Sequence, residues 1–291
     1  MLKVGFIGTG SMGGLLIDSL ILSGALQAHQ ITVSNRTFAK AEKLAIRHPG
    51  IRAVHANVEA ACDRDLIFLC VKPLEFKSVI DDIKASMHAE QMIISITSPV
   101  LLAQLEEWLP CKAAKIIPSI TNFALSGATL CIYGSRIEAE DAQTIERLLR
   151  HISEPLRIEE QYTRIVSDLS SCGPAFFAFL LQQFIDAAIS ETGLNRAQAT
   201  AVASNMLLGT GRLLTDGGFT PEQLQSRVSV PGGITAEALR MLDYELDGVF
   251  NRLIRTTHAK YEEDVAKVAS SFRKAATADA LHVADGGRHD D

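Results

Sequence analysis

Glycine spacing is the strongest chemical signal in this sequence. Gly8-Thr9-Gly10-Ser11-Met12-Gly13 follows the apolar run Leu2-Lys3-Val4-Gly5-Phe6-Ile7 and opens the apolar stretch from Met12 to Leu22. A Gly-x-Gly-x-x-Gly turn between a strand and a helix is a dinucleotide fingerprint. Gly8 permits the tight turn, Gly10 lets the backbone approach a pyrophosphate, and Gly13 lets the helix pack closely on the strand. The helix N-terminus, with Ser11 and Met12 in its first turn, offers free N–H groups and a partial positive charge to the phosphates. The next strand, Ile31-Thr32-Val33-Ser34, ends in Asn35-Arg36-Thr37. An NAD-preferring site carries an acid near this point to hold the ribose 2′-hydroxyl. Here no acid is present, and Arg36 can pair with phosphate oxygens through its planar fork. The expected cofactor is NADP(H) rather than NAD(H).

Two further motifs suit an anion. Ser170-Ser171-Cys172-Gly173-Pro174-Ala175 and Val230-Pro231-Gly232-Gly233-Ile234-Thr235 each stand at the start of a helical pattern. Backbone N–H groups at such a positive helix end bind a carboxylate as well as a phosphate. A plain interhelical turn is the commoner use of Pro and Gly.

The elements that must position these groups fall into two kinds. The first half alternates strand and helix. Its strands are at residues 2–7, 31–34, 53–55, 66–71, 92–96, 115–117 and 128–133, with helices between them, one of them short and capped by Asn57. Alternation of this kind builds a doubly wound parallel sheet, with ligands outside the carboxyl ends of the strands. Lys72, Ser95 to Ser98 and Pro118 to Asn122 fall at that edge, where a nicotinamide would lie. From Ser171 onward the pattern is helical, with Phe176, Phe177, Leu180, Leu181, Phe184 and Ile185 at helical spacing and Asn195 as a helix cap. Such wide apolar faces need cover, and a second subunit would provide it.

Composition bounds the reading. The chain has 291 residues, 47% hydrophobic and 21% charged, with a formal net charge of −6. This length suits about two domains, and the negative charge argues against a nucleic-acid partner. No apolar run is read as reaching the roughly 18 residues of a membrane span, so a cytoplasmic protein is expected, with no membrane partner. Cys62, Cys70, Cys111, Cys131 and Cys172 are scattered, and neither they nor the eight histidines show metal-ligand spacing. No metal is expected.

In this order, the fingerprint, Asn35-Arg36-Thr37, Val71-Lys72-Pro73, Cys172-Gly173-Pro174-Ala175 and Pro231-Gly232-Gly233-Ile234-Thr235 resemble the pyrroline-5-carboxylate reductases. The resemblance runs from the N-terminus to about Val268. It implies an N-terminal Rossmann domain (1–158) and a C-terminal all-α dimerisation and substrate domain (159–273); residues 274–291 are expected to be a disordered tail. It implies an NAD(P)H-dependent oxidoreductase that reduces 1-pyrroline-5-carboxylate to L-proline, as a homodimer or higher homo-oligomer. In that scheme Gly8 to Gly13, Ser34 to Thr37, Val71 to Pro73 and Ser119 hold the cofactor. Gly232, Gly233, Ile234, Thr235 and Cys172 hold the substrate, and Thr235 carries the catalytic side-chain contact.

The sequence also departs from the family pattern. Ser-Gly-Ser-Gly-Pro-Ala is replaced by Ser170-Ser171-Cys172-Gly173-Pro174-Ala175, and the hydroxyl residue before Pro-Gly-Gly by Val230. Met-Pro-Asn-Thr-Pro becomes Ile117-Pro118-Ser119-Ile120-Thr121, so Ser119 stands for the Asn near the nicotinamide unless Asn122 replaces it. The usual Ala-Gly after the fifth strand is Thr97-Ser98. These changes resemble the divergent late-competence ComER-type branch. The alternative reading is therefore a non-catalytic or substrate-shifted paralogue with a regulatory role.

Overall fold

The computed structural model describes residues 1–285, with side-chain detail through residue 272. Eight strands form one sheet: β1 (Val4–Ile7), β2 (Ile31–Ser34), β3 (Arg52–Val54), β4 (Leu66–Leu69), β5 (Met92–Ser95), β6 (Lys112–Ile117), β7 (Ala128–Tyr133) and β8 (Glu154–Arg157). Their order is β3-β2-β1-β4-β5-β6-β7-β8. The first six are parallel, β7 runs antiparallel to β6, and β8 is parallel to β7. The sheet reverses at β7 because residues 118–127 hold only a short 3₁₀ turn, Ile120–Ala124, and no crossover helix. Parallel strands need a longer crossover. The sequence reading missed β8. Its residues, Glu154-Pro155-Leu156-Arg157, are mostly exposed, and a proline is tolerated at an edge strand.

Helices α1 (Ser11–Leu22), α2 (Phe38–Arg47), α3 (Asn57–Ala61), α4 (Phe76–Ile83), α5 (Leu102–Trp108) and α6 (Ala139–Leu149) cover this sheet. Strands β1, β2, β4 and β5 are buried along their whole length, as expected for strands covered on both faces. One core gathers Val4, Phe6, Leu16, Leu20, Phe68 and Ile145. Phe6 and Phe68 stack there with ring centroids 4.7 Å apart. The other gathers Ile7, Leu69, Phe76, Ile80, Leu105, Val268 and Phe272. The fold is the expected α/β doubly wound sheet followed by a helical region.

Beyond β8 come α7 (Thr163–Ser167), a π-helical turn at Asp168–Cys172, and helices α8 (Gly173–Thr192), α9 (Arg196–Thr215), α10 (Pro221–Val228), α11 (Ile234–Glu245) and α12 (Val249–Asp285). The chain divides into two compact units: residues 1–172 together with those from 257 onward, and residues 173–256. The sequence reading puts a boundary after residue 158. In the structure the compact first unit continues to Cys172, and Glu160 in the added segment pairs with Lys115 of β6. Residues 274–285, expected to be part of a tail, belong to α12, and residues 286–291 lie outside the described residues.

The second unit is thinly packed. Only Gly173, Ile185 and Ala199 are buried in it, whereas Phe177, Phe179, Phe184, Val202 and Leu208 are exposed. The helical run Glu160–Thr192 also has an 18-residue window of mean hydropathy 1.4, enough by length and composition to cross a membrane. A search for unbroken apolar runs overlooks it, because Gln182 and Gln183 interrupt the run.

Candidate cofactor cleft and anion turn

The glycine loop joins β1 to α1. Gly8 has φ +100°, and a side chain there would stand 2.5 Å from the Cys70 carbonyl oxygen. At Gly13 a Cβ would stand 2.2 Å from the Gly8 carbonyl oxygen, so this glycine is what lets α1 sit against the loop. Gly10 is different. Its φ of −72° suits any residue, and a Cβ there would meet nothing within 4 Å. Helix α1 has no side-chain cap and no acid in its first turn, so its leading N–H groups are available to an anion.

A cleft of about 630 Å³ opens beside this loop at the carboxyl ends of β1, β2 and β4. Gly8, Gly10, Asn35, Arg36, Thr37, Val71 and Lys72 line it, as the sequence predicts for cofactor residues. Thr9 and Ser11 line an adjoining groove. Asn35 braces the loop: its Oδ1 accepts from the Thr9 N–H at 3.0 Å, and its Nδ2 donates to the Thr37 carbonyl at 3.0 Å. The remaining predicted cofactor residues serve from behind. Gly13 packs the helix, and Met12 is half-buried behind the loop. Pro73 starts the 3₁₀ turn Pro73–Glu75. Ser34 is buried, and its hydroxyl donates to Asn57 Oδ1 at 2.9 Å.

Ser119 and Asn122 are not at the cleft. Both are fully buried. The Ser119 hydroxyl donates to the Ser170 carbonyl at 2.8 Å and accepts from the Thr121 hydroxyl at 2.9 Å. Asn122 Oδ1 accepts from the Ser119 N–H at 2.8 Å and from the Thr129 hydroxyl at 3.2 Å. The Ser119 side chain ties the loop after β6 to the π turn. Ile120 and Phe123 of the same loop stay exposed and line the groove beside Thr9 and Ser11.

The structure adds residues that pattern reasoning missed. Lys40, His55, Asn57, Glu75, Ser78 and Asp82 also line the cleft. Asn57, expected as a helix cap, is the first residue of α3, and its amide donates to Asp82 at 2.9 Å. Glu75 pairs with Arg36 at 2.7 Å. Nearby, the fully buried Lys115 ammonium donates to Glu160 at 2.5 Å and to the Ser98 carbonyl at 3.1 Å. Burial holds this ammonium below the ordinary lysine range, against the pull of Glu160. Buried Asp168 accepts from Arg164 at 2.7 Å and from the Thr257 hydroxyl at 2.6 Å. The same Arg164 guanidinium donates to the half-buried Cys172 sulfur at 3.1 Å. All five cysteines are unpaired, and burial pushes the Cys111 and Cys131 thiols up to about 11.

The second unit holds the other motif. Gly232 takes φ +74° and the Gly233 N–H donates to the Val230 carbonyl at 2.9 Å, making a tight turn before α11. Helix α11 starts without a side-chain cap, Ile234 is exposed, and Thr235 is half-buried in its first turn. The motif thus forms a tight turn at a helix start within this unit, with the leading N–H groups of α11 free of side-chain partners.

Family models match both halves: NADP oxidoreductase coenzyme F420-dependent at residues 3–99, and pyrroline-5-carboxylate reductase dimerisation at residues 160–264. The chain is 41% identical over 271 residues to ComE operon protein 4 of Bacillus subtilis, covering 93% of this chain and 99% of that protein. It is 31% identical over 245 residues to the pyrroline-5-carboxylate reductase of Escherichia coli, covering 83% of this chain and 90% of that enzyme. The chain belongs to the pyrroline-5-carboxylate reductase family. The fold of this family member agrees with a Plasmodium falciparum pyrroline carboxylate reductase solved with NADP bound, at TM-score 0.77 and 21% identity, covering 93% of this chain and 98% of that one. The resemblance read from the motifs, the divergent branch included, therefore stands.

Proposed function

We propose that this family member is an NADPH-dependent reductase of a small cyclic imine carboxylate, with 1-pyrroline-5-carboxylate to L-proline as its reaction. The observation that carries the cofactor reading is the open space at Gly10, beside an uncapped helix start and above a cleft whose β2 end holds Arg36 and no acid. Gly8 to Ser11 would hold the pyrophosphate. Arg36, Thr37 and Lys40 would hold the 2′-phosphate, and Val71 and Lys72 the nicotinamide side. The bound nicotinamide supplies a hydride to the imine carbon. A protonated imine is already a good electrophile, so this chain needs only to bind and orient it. The turn at Pro231 to Thr235 suits the substrate carboxylate, with the Ile234 N–H and the Thr235 hydroxyl as donors; the Gly233 N–H is already given to the Val230 carbonyl inside the turn.

A second copy of the chain would cover the apolar helices of residues 173–256, in keeping with the dimerisation model matched there. That cover accounts for the apolar run Glu160–Thr192 without a membrane. Five unpaired cysteines suit a reducing, cytoplasmic setting.

A second reading, a nucleotide-binding paralogue without turnover, is favoured by one specific observation: Ser119 is sequestered where the family's Asn is expected to serve the cofactor. Steady-state loss of reduced-nicotinamide absorbance with the pyrroline substrate separates the two. Turnover supports the reductase; NADPH binding without turnover supports the paralogue.

A further inference from the structure

Glu75 occupies a position that cofactor fingerprints do not consider. In dinucleotide folds the acid that receives the ribose 2′-hydroxyl comes from the end of the second strand. Here that strand end carries Ser34, Asn35 and Arg36. A carboxylate reaches the same place from a different element. The turn Pro73–Glu75, after β4, sets Glu75 Oε1 2.7 Å from Arg36 Nη1, and both residues line the cleft. The Arg36 side chain is 86% exposed and that of Glu75 35%, so the pair stands open to an incoming ligand. Ion pairs this exposed are weak and exchange readily. Lys40, in the first turn of α2, lines the same cleft, and its ammonium makes no ion pair among the described residues.

One ligand position therefore faces two cations and one carboxylate. A 2′-phosphate gains Arg36 and Lys40, but it must displace Glu75 from Arg36 and then sit beside its negative charge. A bare ribose 2′-hydroxyl can donate to Glu75 and leave the Arg36 pair intact. The two cofactors thus meet Glu75 with opposite sign.

We propose that Glu75 is a specificity-determining residue for the cofactor: it opposes the 2′-phosphate, accepts the 2′-hydroxyl, and so narrows the preference of this cleft for NADPH over NADH. The proposal rests on the reading of the cleft as the nucleotide site. Equilibrium titration of the full-length protein with NADPH and with NADH tests it, comparing the unmutated chain with Glu75→Gln. The amide keeps the shape and loses the charge. NADPH should bind about five-fold tighter or more at low salt, while NADH binding stays level or weakens. Arg36→Ala should shift the NADPH:NADH affinity ratio the other way. An unchanged ratio in Glu75→Gln overturns the proposal, as does an equal loss of both affinities with a lowered melting temperature, which would mark Glu75 as a structural brace. If the unmutated chain binds neither nucleotide, the cleft reading itself fails, an outcome distinct from the other two.

Discussion

Replacing Gly10 and Gly13 separately by alanine distinguishes a nucleotide cradle from a turn that merely folds. At Gly10 the backbone angles, φ −72° and ψ −163°, are open to alanine, and the added methyl meets no atom within 4 Å. Alanine restricts the unfolded chain, a gain of about 0.4–1 kcal/mol. It is a poorer residue than glycine before a helix, a loss of at most about 1 kcal/mol. The two nearly cancel, so the melting temperature of Gly10→Ala should lie within about 4 °C of the unmutated protein. At Gly13 the methyl would fall 2.2 Å from the Gly8 carbonyl oxygen and 2.9 Å from Cys70 Cβ. Backbone has to move by about 1 Å to admit it, and overpacking of this kind costs about 1–3 kcal/mol. Gly13→Ala should therefore melt several degrees lower. NADPH affinity should order the two variants differently. The Gly10 methyl occupies the approach to the backbone, so Gly10→Ala should lose at least about 10-fold in affinity, or 1.4 kcal/mol. Thermal unfolding and calorimetric titration with NADPH measure both quantities. A Gly10→Ala protein that binds NADPH as tightly as the unmutated chain would refute the cradle, and one that melts as low as Gly13→Ala would refute the reading of empty space.

Other perturbations test the remaining assignments. Thr235→Ala should lower kcat/KM for the pyrroline by about 10-fold or more, the loss of one charge-assisted hydrogen bond, with NADPH affinity unchanged. Val230→Ser, which returns a hydroxyl beside the turn, should lower KM in the same assay. Ser119→Asn adds volume at a fully buried site whose hydroxyl is already bonded to Ser170. It should destabilise the fold by about 1–3 kcal/mol, seen as a lower melting temperature, rather than raise turnover. Lys115→Met leaves the Glu160 carboxylate without its 2.5 Å partner. Because that carboxylate is 30% exposed, the cost should be about 2–3 kcal/mol, below that of a fully buried orphan. Denaturant unfolding should show part of this loss recovered in the Lys115→Met, Glu160→Gln double variant.

Much of the cofactor cleft was legible because its requirements are local. Gly8 is demanded by a turn angle and Gly13 by the Gly8 carbonyl five residues before it, although both also face Cys70, which is distant in sequence. The missing acid after β2 is a fact about three adjacent residues. The sheet was legible for the same reason. Runs such as Leu66-Ile67-Phe68-Leu69 are apolar on both faces, which only a doubly covered strand requires. β8 escaped because an exposed edge strand carries no such pattern, and Pro155 reads as a break.

The polar interior was not legible. Composition treats Ser119, Asn122, Lys115 and Asp168 as surface residues, yet all four are buried. Three of them are satisfied by a separate part of the chain, Ser119 by Ser170, Lys115 by Glu160 and Asp168 by Thr257, and Asn122 by its own loop and Thr129. Arg36 could be read as a phosphate ligand from its own neighbours, but its pairing with Glu75 across 39 positions could not. The sequence alone thus determined the glycine turn and the strands around it, since φ angles and apolar periodicity are set over a few residues. Only the tertiary structure decided which charges face one another across it. Those pairings follow from strand order and from where the chain reverses at β7, and desolvation decides which polar groups may be buried only once their partners are in place.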